Sequence, residues 1–599
     1  MTFYQDLEPF VDKYFSEQML QLNIPGAVFV LVKGDKLLLN KGYGFANLDK
    51  KIVVTPDQTL FRVGSISKLL TATAIMQLVE AGQLNLFEDI NSYLKEFKIA
   101  AKYSQPITVA NLLTHTAGFE EHSIGLETLN PSELIPLGKY FANRIPPRVM
   151  PPGKTISYSN HGMGLAGYLV EVVAGMPFEQ YIQENIFQPL EMYHSSFQLP
   201  AHLADDLAVG YEYEADNYQA VPFSYIKIPP GGSLNATATD IAHFIMAHLQ
   251  NGCYKNRQIL NQTTALEMHQ QQFTNDPRLP GFTYGFYEDH KNNQRIIQHG
   301  GTVRGFASLL FLLPEQDLGF FIAGNSLEFK FVTDFADQFL DKYYPVSKSC
   351  VVPQALPNFA QRSQDFTGYY RNQGESRNTI QKISALFSQI RVSASEDSLV
   401  IPDFSKDEES DQWVEVEPLL FQRIDDDSLL AFRKDNQGRI TYLFMGISTF
   451  EKLRWYETSP FHFAVLGFCV LVFLGSCIIS LGWGMFNISQ IPDILALAIA
   501  SLNLIFIIGF VLASSHPNGL TYGVPKIITI LLTIPIITAA LTLGLIMFTI
   551  LSWNNQDLSL WQRLDYSLIS LASITFTFWL RYWNLWGFKH DLRKNPLKP

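Results

Sequence analysis

The last 139 residues constrain the fold of this chain more than any other part. From Phe461 to Pro599 there is no glutamate. Four apolar runs stand out: Phe461–Trp483, Ile494–Ser514, Ile527–Trp553 and Leu568–Trp586. Each is close to or above the roughly 20 residues that cross a bilayer as a helix. Trp553, Trp579, Trp583 and Trp586 sit near run ends, as interfacial anchors would. The runs are too long and too poor in charge for the core of a soluble domain. Seven of the 44 Lys/Arg and four of the 56 Asp/Glu fall there, so the first 460 residues carry 37 basic against 52 acidic groups. That acidic excess argues against nucleic acid as a partner and makes the lipid bilayer the expected one.

The polar part carries its chemistry in Phe61-Arg62-Val63-Gly64-Ser65-Ile66-Ser67-Lys68, at the mouth of a helix expected from Leu69 to Gly82. Residues i and i+3 share a helix face, so the Ser65 hydroxyl and the Lys68 amine can meet. A serine alcohol attacks a carbonyl only when a neighbouring base takes its proton. A lysine can serve only if burial or nearby positive charge lowers its pKa. A helix N-terminus also offers backbone N–H groups to an oxyanion. Two further motifs follow. Tyr158-Ser159-Asn160 closes a turn-rich entry to a helix expected over His161–Ala174. His299-Gly300-Gly301 falls between the strand-like runs Arg295–Gln298 and Phe306–Leu313.

In this order the motifs resemble the serine β-lactamase and penicillin-binding-protein family, in its class-C-like esterase and D-aminopeptidase branch. Leu112-Leu113-Thr114-His115-Thr116-Ala117-Gly118-Phe119, Gly231-Gly232-Ser233-Leu234 and Tyr284-Gly285-Phe286 strengthen the resemblance, which covers roughly residues 5–345. It implies Ser65 as nucleophile, with Lys68 and Tyr158 sharing its proton. Asn160 would hold Lys68 and the substrate amide. The N–H groups of Ser65 and Thr302 would form the oxyanion hole, and an edge strand carrying His299, Gly300 and Gly301 would lie beside the substrate. The family usually has a lysine at the position of His299, which attracts a substrate carboxylate. A largely neutral histidine weakens that attraction. The resemblance therefore implies a small-molecule or peptide substrate with an ester or amide bond, in a D-amino-acid peptide or an acylated natural-product precursor. The alternative is a β-lactamase, a D,D-carboxypeptidase or a penicillin-binding sensor of cell-wall peptides. No separate glutamate-activated deacylating water is expected.

Four parts are expected: residues 1–345, a β-lactamase-like hydrolase unit; 346–362, a linker; 363–456, a small β-rich, lipocalin-like unit; and 457–599, four transmembrane helices. The fold class is α/β (α+β), an antiparallel sheet flanked by helices plus a helical lobe. Met1–Asn23 reads as an amphipathic helix without a signal-peptide core. The basic tail (Arg581, Lys589, Arg593, Lys594, Lys598) suggests a cytoplasmic end, and four spans would return the catalytic part to the same side. The resembled family works mostly outside the cytoplasm, and that analogy favours an extracytoplasmic catalytic part. A missing signal peptide, a re-entrant span or a cytoplasm-facing enzyme would each reconcile the two. Cys253 and Cys350 are the only cysteines before the apolar runs, and no Cys-x-x-Cys or His-Glu-x-x-His pattern occurs, so no metal or cofactor is expected. His115 and His161 flank the motifs and could line a cleft. The acidic run Asp407-Glu408-Glu409 reads as a solvated loop.

Overall fold

A computed structural model describes residues 6–346, 353–402, 410–482, 491–515, 520–554 and 558–587. The expected acidic run, Cys350, Trp483, residues 1–5 of the N-terminal helix and the basic tail beyond residue 587 lie outside these. Seven antiparallel strands form the central sheet, in the order Tyr287–Lys291, Gln294–Val303, Phe306–Leu313, Leu318–Gly324, Gly26–Lys33, Lys36–Asn47, Ile52–Val53. The three middle strands are almost wholly apolar, because both faces of the sheet are covered. Alternation sorts their side chains. Val28, Val30 and Val32 join the core shared with the helical lobe, whereas Ala27, Phe29 and Leu31 face the opposite core. The same split separates Leu310 and Leu312 from Leu309, Phe311 and Leu313.

The opposite core is closed by helices Leu7–Gln21 and Phe329–Tyr343. The amphipathic character expected at the N-terminus is spent here: Val11 and Phe15 are buried, and Phe15 packs edge-on against Phe29 and Phe331. The lobe side holds helices Ser67–Glu80, Asn160–Ala174 and Ala238–Leu249. Gly82, at φ +68°, ends the extension of the first. Ser159 caps the second by accepting from Gly162 N, and Thr237 caps the third by accepting from Asp240 N.

Eight strands between Gly368 and Lys452 close into a barrel around Phe366, Tyr370, Trp413, Phe421 and Phe432. Phe359, on a short helix Phe359–Arg362, is buried in the same interior.

Among the described residues, long helical segments follow. Ser459–Ser480, Ile491–Ser514 and Lys526–Ser552 are each long and apolar enough to cross a membrane. The third is not one helix but two, Lys526–Leu531 and Ile534–Ser552. Pro535 stands at the first turn of the second piece, where its missing N–H and ring cannot continue an upstream helix. The expected fourth span falls in helix Leu560–Tyr582, which carries Arg563, Asp565 and Arg581 and lacks the apolarity of the others. It packs against them instead, with Cys469 Sγ 3.5 Å from Ala572 O and Thr549 Oγ1 3.0 Å from Ser570 Oγ. Phe387, Trp455 and Tyr456 stand exposed where the bundle meets the barrel, and Trp553 and Trp561 at its far end, an arrangement matching two interfacial belts.

Phe335 meets Tyr14, Phe15, Phe29 and Phe320 within 6.0 Å and is fully buried. Phe335→Ala is expected to destabilise the sheet unit by about 3–5 kcal/mol. Limited proteolysis across a urea series should show cleavage between residues 6 and 346 at lower urea than in the unsubstituted chain. An unchanged pattern would contradict this packing.

Candidate active site

Ser65 lies in a single 3₁₀ turn, Gly64–Ile66, that feeds helix Ser67–Glu80. Gly64 has φ +53°, and a Cβ there would lie 2.8 Å from Thr302 N, so only glycine fits. Ser67 locks the turn: its hydroxyl donates to Gly64 O at 2.6 Å and accepts from Leu234 N at 2.9 Å. One helical turn on, the Lys68 amine is fully buried. It donates to Ser65 Oγ at 2.9 Å, Asn160 Oδ1 at 2.7 Å and Gly231 O at 2.5 Å. The Tyr158 ring lies beneath it, 5.0 Å away.

Burial disfavours the ammonium and pulls the Lys68 pKa down to about 7, against the opposing pull of the Glu121 charge. Tyr158 hydrogen-bonds Ser65, but burial raises its pKa above the ordinary phenol value, with Glu121 adding to the rise. Burial therefore favours the protonated phenol in the resting site, with the Lys68 amine 5.0 Å from its ring.

The third motif does not sit between two strands. Gln294–Val303 is one continuous strand, and the turn comes at Arg304-Gly305, with Gly305 at φ +79°. The glycines serve close approach. A Cβ on Gly301 would meet Val63 O at 2.0 Å, and one on Gly300 would meet the Phe329 ring at 2.5 Å. Residues 294–298 pair with Tyr287–Lys291, but His299 to Val303 pair only with Phe306–Leu310, leaving the other edge beside the cavity. His299 is 1% exposed, and burial holds its pKa down at about 3, so it is neutral. Its Nδ1 lies 2.7 Å from Gly300 O, and its Nε2 meets no hydrogen-bond partner among the described residues.

The cavity measures about 550 Å³ and is lined by Ser65, Tyr158, Asn160, His299, Gly300 and Thr302, with Leu126, Ile226, Ile228, Val303 and Phe329 as its apolar wall. Glu127 is the charged residue of its lining. Its carboxylate accepts from Ser224 Oγ at 2.5 Å, and the Arg62 guanidinium donates to Ser224 O at 2.8 Å. Six predicted residues thus share the wall, with Lys68 behind Ser65 and Gly301 packed against Val63.

His115 and His161 fall outside the lining. His115 stacks on the back of Tyr158 at 4.3 Å, and its Nδ1 accepts from Ser159 N at 3.1 Å. The His161 Nε2 lies 3.2 Å from the Tyr140 hydroxyl. Two residues escaped sequence reasoning. Tyr287 accepts the Gly300 N–H at 3.0 Å and fixes the edge strand. Glu121 accepts from Asn160 N at 3.0 Å and from Asn160 Nδ2 at 2.9 Å. Its only trace in sequence is a pair of carboxylates, Glu120-Glu121, just after the apolar Ala117-Gly118-Phe119. Among the described residues, no group of three or more His, Cys, Asp or Glu is placed to hold a metal, and Cys253, Cys469 and Cys477 are free.

Protein flp of Staphylococcus aureus (strain N315) is 26% identical over 329 residues, 53% of this chain and 63% of that protein. The chain therefore matches less than two thirds of the length of this curated relative. In fold it is similar to the crystal structures of SurE (TM-score 0.54) and of SurE with D-Leu (TM-score 0.52). Each is 20% identical and covers 74% of this chain, and 98% and 99% respectively of its own. The Beta-lactamase family profile matches residues 11–341, more than half of the chain and the whole of the sheet and its lobe, and the chain belongs to that family.

Proposed function

We propose that this protein is a membrane-associated serine hydrolase that cleaves an ester or amide through an acyl-enzyme on Ser65. The observation that carries this reading is the Lys68 amine, fully buried 2.9 Å from Ser65 Oγ, where burial lowers its pKa to about 7. Neutral Lys68 takes the hydroxyl proton as Ser65 Oγ bonds the substrate carbonyl carbon. The carbonyl π pair moves to oxygen, where the N–H groups of Ser65 and Thr302 receive it. When the carbonyl re-forms, the bond to the leaving group breaks. The Tyr158 hydroxyl gives that group a proton and regains one from the Lys68 ammonium. Water then adds to the acyl-enzyme by the same route in reverse: its proton passes to Lys68, and Ser65 recovers its own when the acid departs.

The lining favours substrates without a free carboxylate. His299 is neutral where relatives usually place a lysine, and the charge in the wall is the Glu127 carboxylate. The apolar wall adjoins the membrane part. Leu126 and Glu127 stand where Gly125 N donates to Leu520 O at 3.0 Å and Glu127 N to Thr521 O at 3.1 Å. An amphiphilic amide, acylated or next to a D-amino acid, suits such a mouth. We place the catalytic part outside the cytoplasm by family analogy.

A fluorophosphonate should label the full-length protein in detergent, and Ser65→Ala should abolish labelling. Lys68→Ala should lower kcat by about two to four orders of magnitude. Near-normal turnover in Lys68→Ala would assign the base elsewhere. Because the base must be uncharged, kcat/KM should climb with pH up to a bend near 7 and level off above it. A rate independent of pH between 5 and 8 would contradict the proposed base. Finally, neutral p-nitrophenyl esters should turn over at least about tenfold faster than a carboxylate-bearing chromogenic cephalosporin, the loss of one charge-assisted hydrogen bond being worth that much. The reverse order would favour a β-lactamase.

A further inference from the structure

Asn160 touches Lys68 through one end of its amide, and an amide can turn. Its orientation is fixed from the other side. The Glu121 carboxylate accepts both from Asn160 N and from Asn160 Nδ2, so Oδ1 is turned to the Lys68 amine at 2.7 Å. Other ionisable groups around that amine carry no negative charge. Tyr158 is a neutral phenol, while His115 and His299 are neutral imidazoles kept so by burial. Glu121 is the carboxylate that acts on Lys68.

Glu121 is itself held by a segment outside the family-matched region. Residues 373–382, which follow the barrel strand Gly368–Asn372, lie across the back of the site. Glu121 N donates to Gly374 O at 2.6 Å. The neighbouring Glu120 carboxylate accepts from Arg377 N and Asn378 Nδ2, both at 2.8 Å. The far side of this strap is clamped by the end of the last long helix. Asn584 Nδ2 donates to Arg377 O at 3.0 Å and Thr379 O at 2.9 Å, and Lys382 donates to Tyr582 O at 2.6 Å while lying 3.7 Å over its ring. Ile380 is buried in one apolar cluster with Trp583 and Leu585.

We infer that Glu121 is a positioning residue that sets the Asn160 amide against Lys68, and that the strap 373–382, clamped by Asn584, holds Glu121 in place for it. The site then reaches full rate only with the last helix docked. The inference rests on Lys68 being the base of the proposed hydrolase.

The test uses the full-length protein in detergent, a neutral p-nitrophenyl ester and pH–rate profiles, with Ser65→Ala as control. Glu121→Gln removes the carboxyl facing Lys68, whose own pKa burial raises against the lowering by its Asn160 hydrogen bonds and by Lys68. It should move the acidic bend of kcat/KM to lower pH, by up to about one unit, and lower kcat. Asn584→Ala removes both donations to the strap and should lower kcat at least about three- to tenfold, the worth of a single hydrogen bond, with KM changed less than twofold. If Asn584→Ala also lowers the melting temperature, Asn378→Ala, which removes only the side-chain donor to Glu120, should give the same kcat loss in a protein of unchanged melting temperature. An unmoved bend in Glu121→Gln would overturn the role of Glu121. Unsubstituted kcat in Asn584→Ala or in a stable Asn378→Ala would overturn the strap. Turnover surviving in Ser65→Ala would instead sink the hydrolase reading itself.

Discussion

The Lys68 amine is enclosed by Ser65, Asn160 and the Gly231 carbonyl, with the Tyr158 ring beneath it, and its charged form has lost the water that would stabilise it. Much of the surrounding architecture can be traced to keeping that amine dry and in register. Gly64 bends the chain so that Ser65 arrives one turn ahead of it. Ser67 ties this bend to Leu234, and so brings the Gly231 carbonyl within reach. The Ser159 cap starts the helix that presents Asn160, and the paired glycines let the edge strand close against Val63. Without full burial Lys68 would be an ordinary cation and Ser65 an ordinary alcohol.

Much of this was legible in the sequence because it is local. The i, i+3 spacing brings Ser65 to Lys68. The two-residue period of Val28, Val30 and Val32 divides the sheet between two cores, and the Gly82 stop and the Thr237 cap lie within a few residues of what they control. What was not legible depends on distant parts of the chain. The motif places the glycines at 300 and 301 on an edge strand but does not reveal Val63 and Phe329 pressing on them. The burial that raises the Tyr158 pKa is likewise invisible in its motif. Glu121 has no local signature because its partner is 39 residues away. In the apolar region, run length concealed the break before Pro535, and the last helix starts eight residues before its apolar run and so takes in Arg563 and Asp565.

The three parts of the chain are also less separate than their compositions suggest. The β-barrel is filled by its own aromatic side chains, buries Leu279 of the catalytic unit against Leu420, Ala431 and Phe444, accepts a hydrogen bond from Asn275 at Thr449, and sends the segment 373–382 behind the site. That segment meets the end of the last helix, while Leu520 and Thr521 meet the rim residues Gly125 and Glu127. Among the described residues the apolar bundle thus meets the sheet unit at the cavity mouth and, through the strap, behind Lys68 and Asn160. An anchor serving only to tether would need neither.

The charge state of Lys68 in the resting protein tests this account most directly. It can be followed by ¹⁵N NMR of the lysine side-chain nitrogens in full-length Ser65→Ala protein in detergent, with Lys68 assigned by its loss in Lys68→Arg. The account predicts a titration midpoint near 7. A Lys68 nitrogen that remains an ammonium above pH 9 would contradict it, because no buried general base would then stand beside Ser65 at neutral pH.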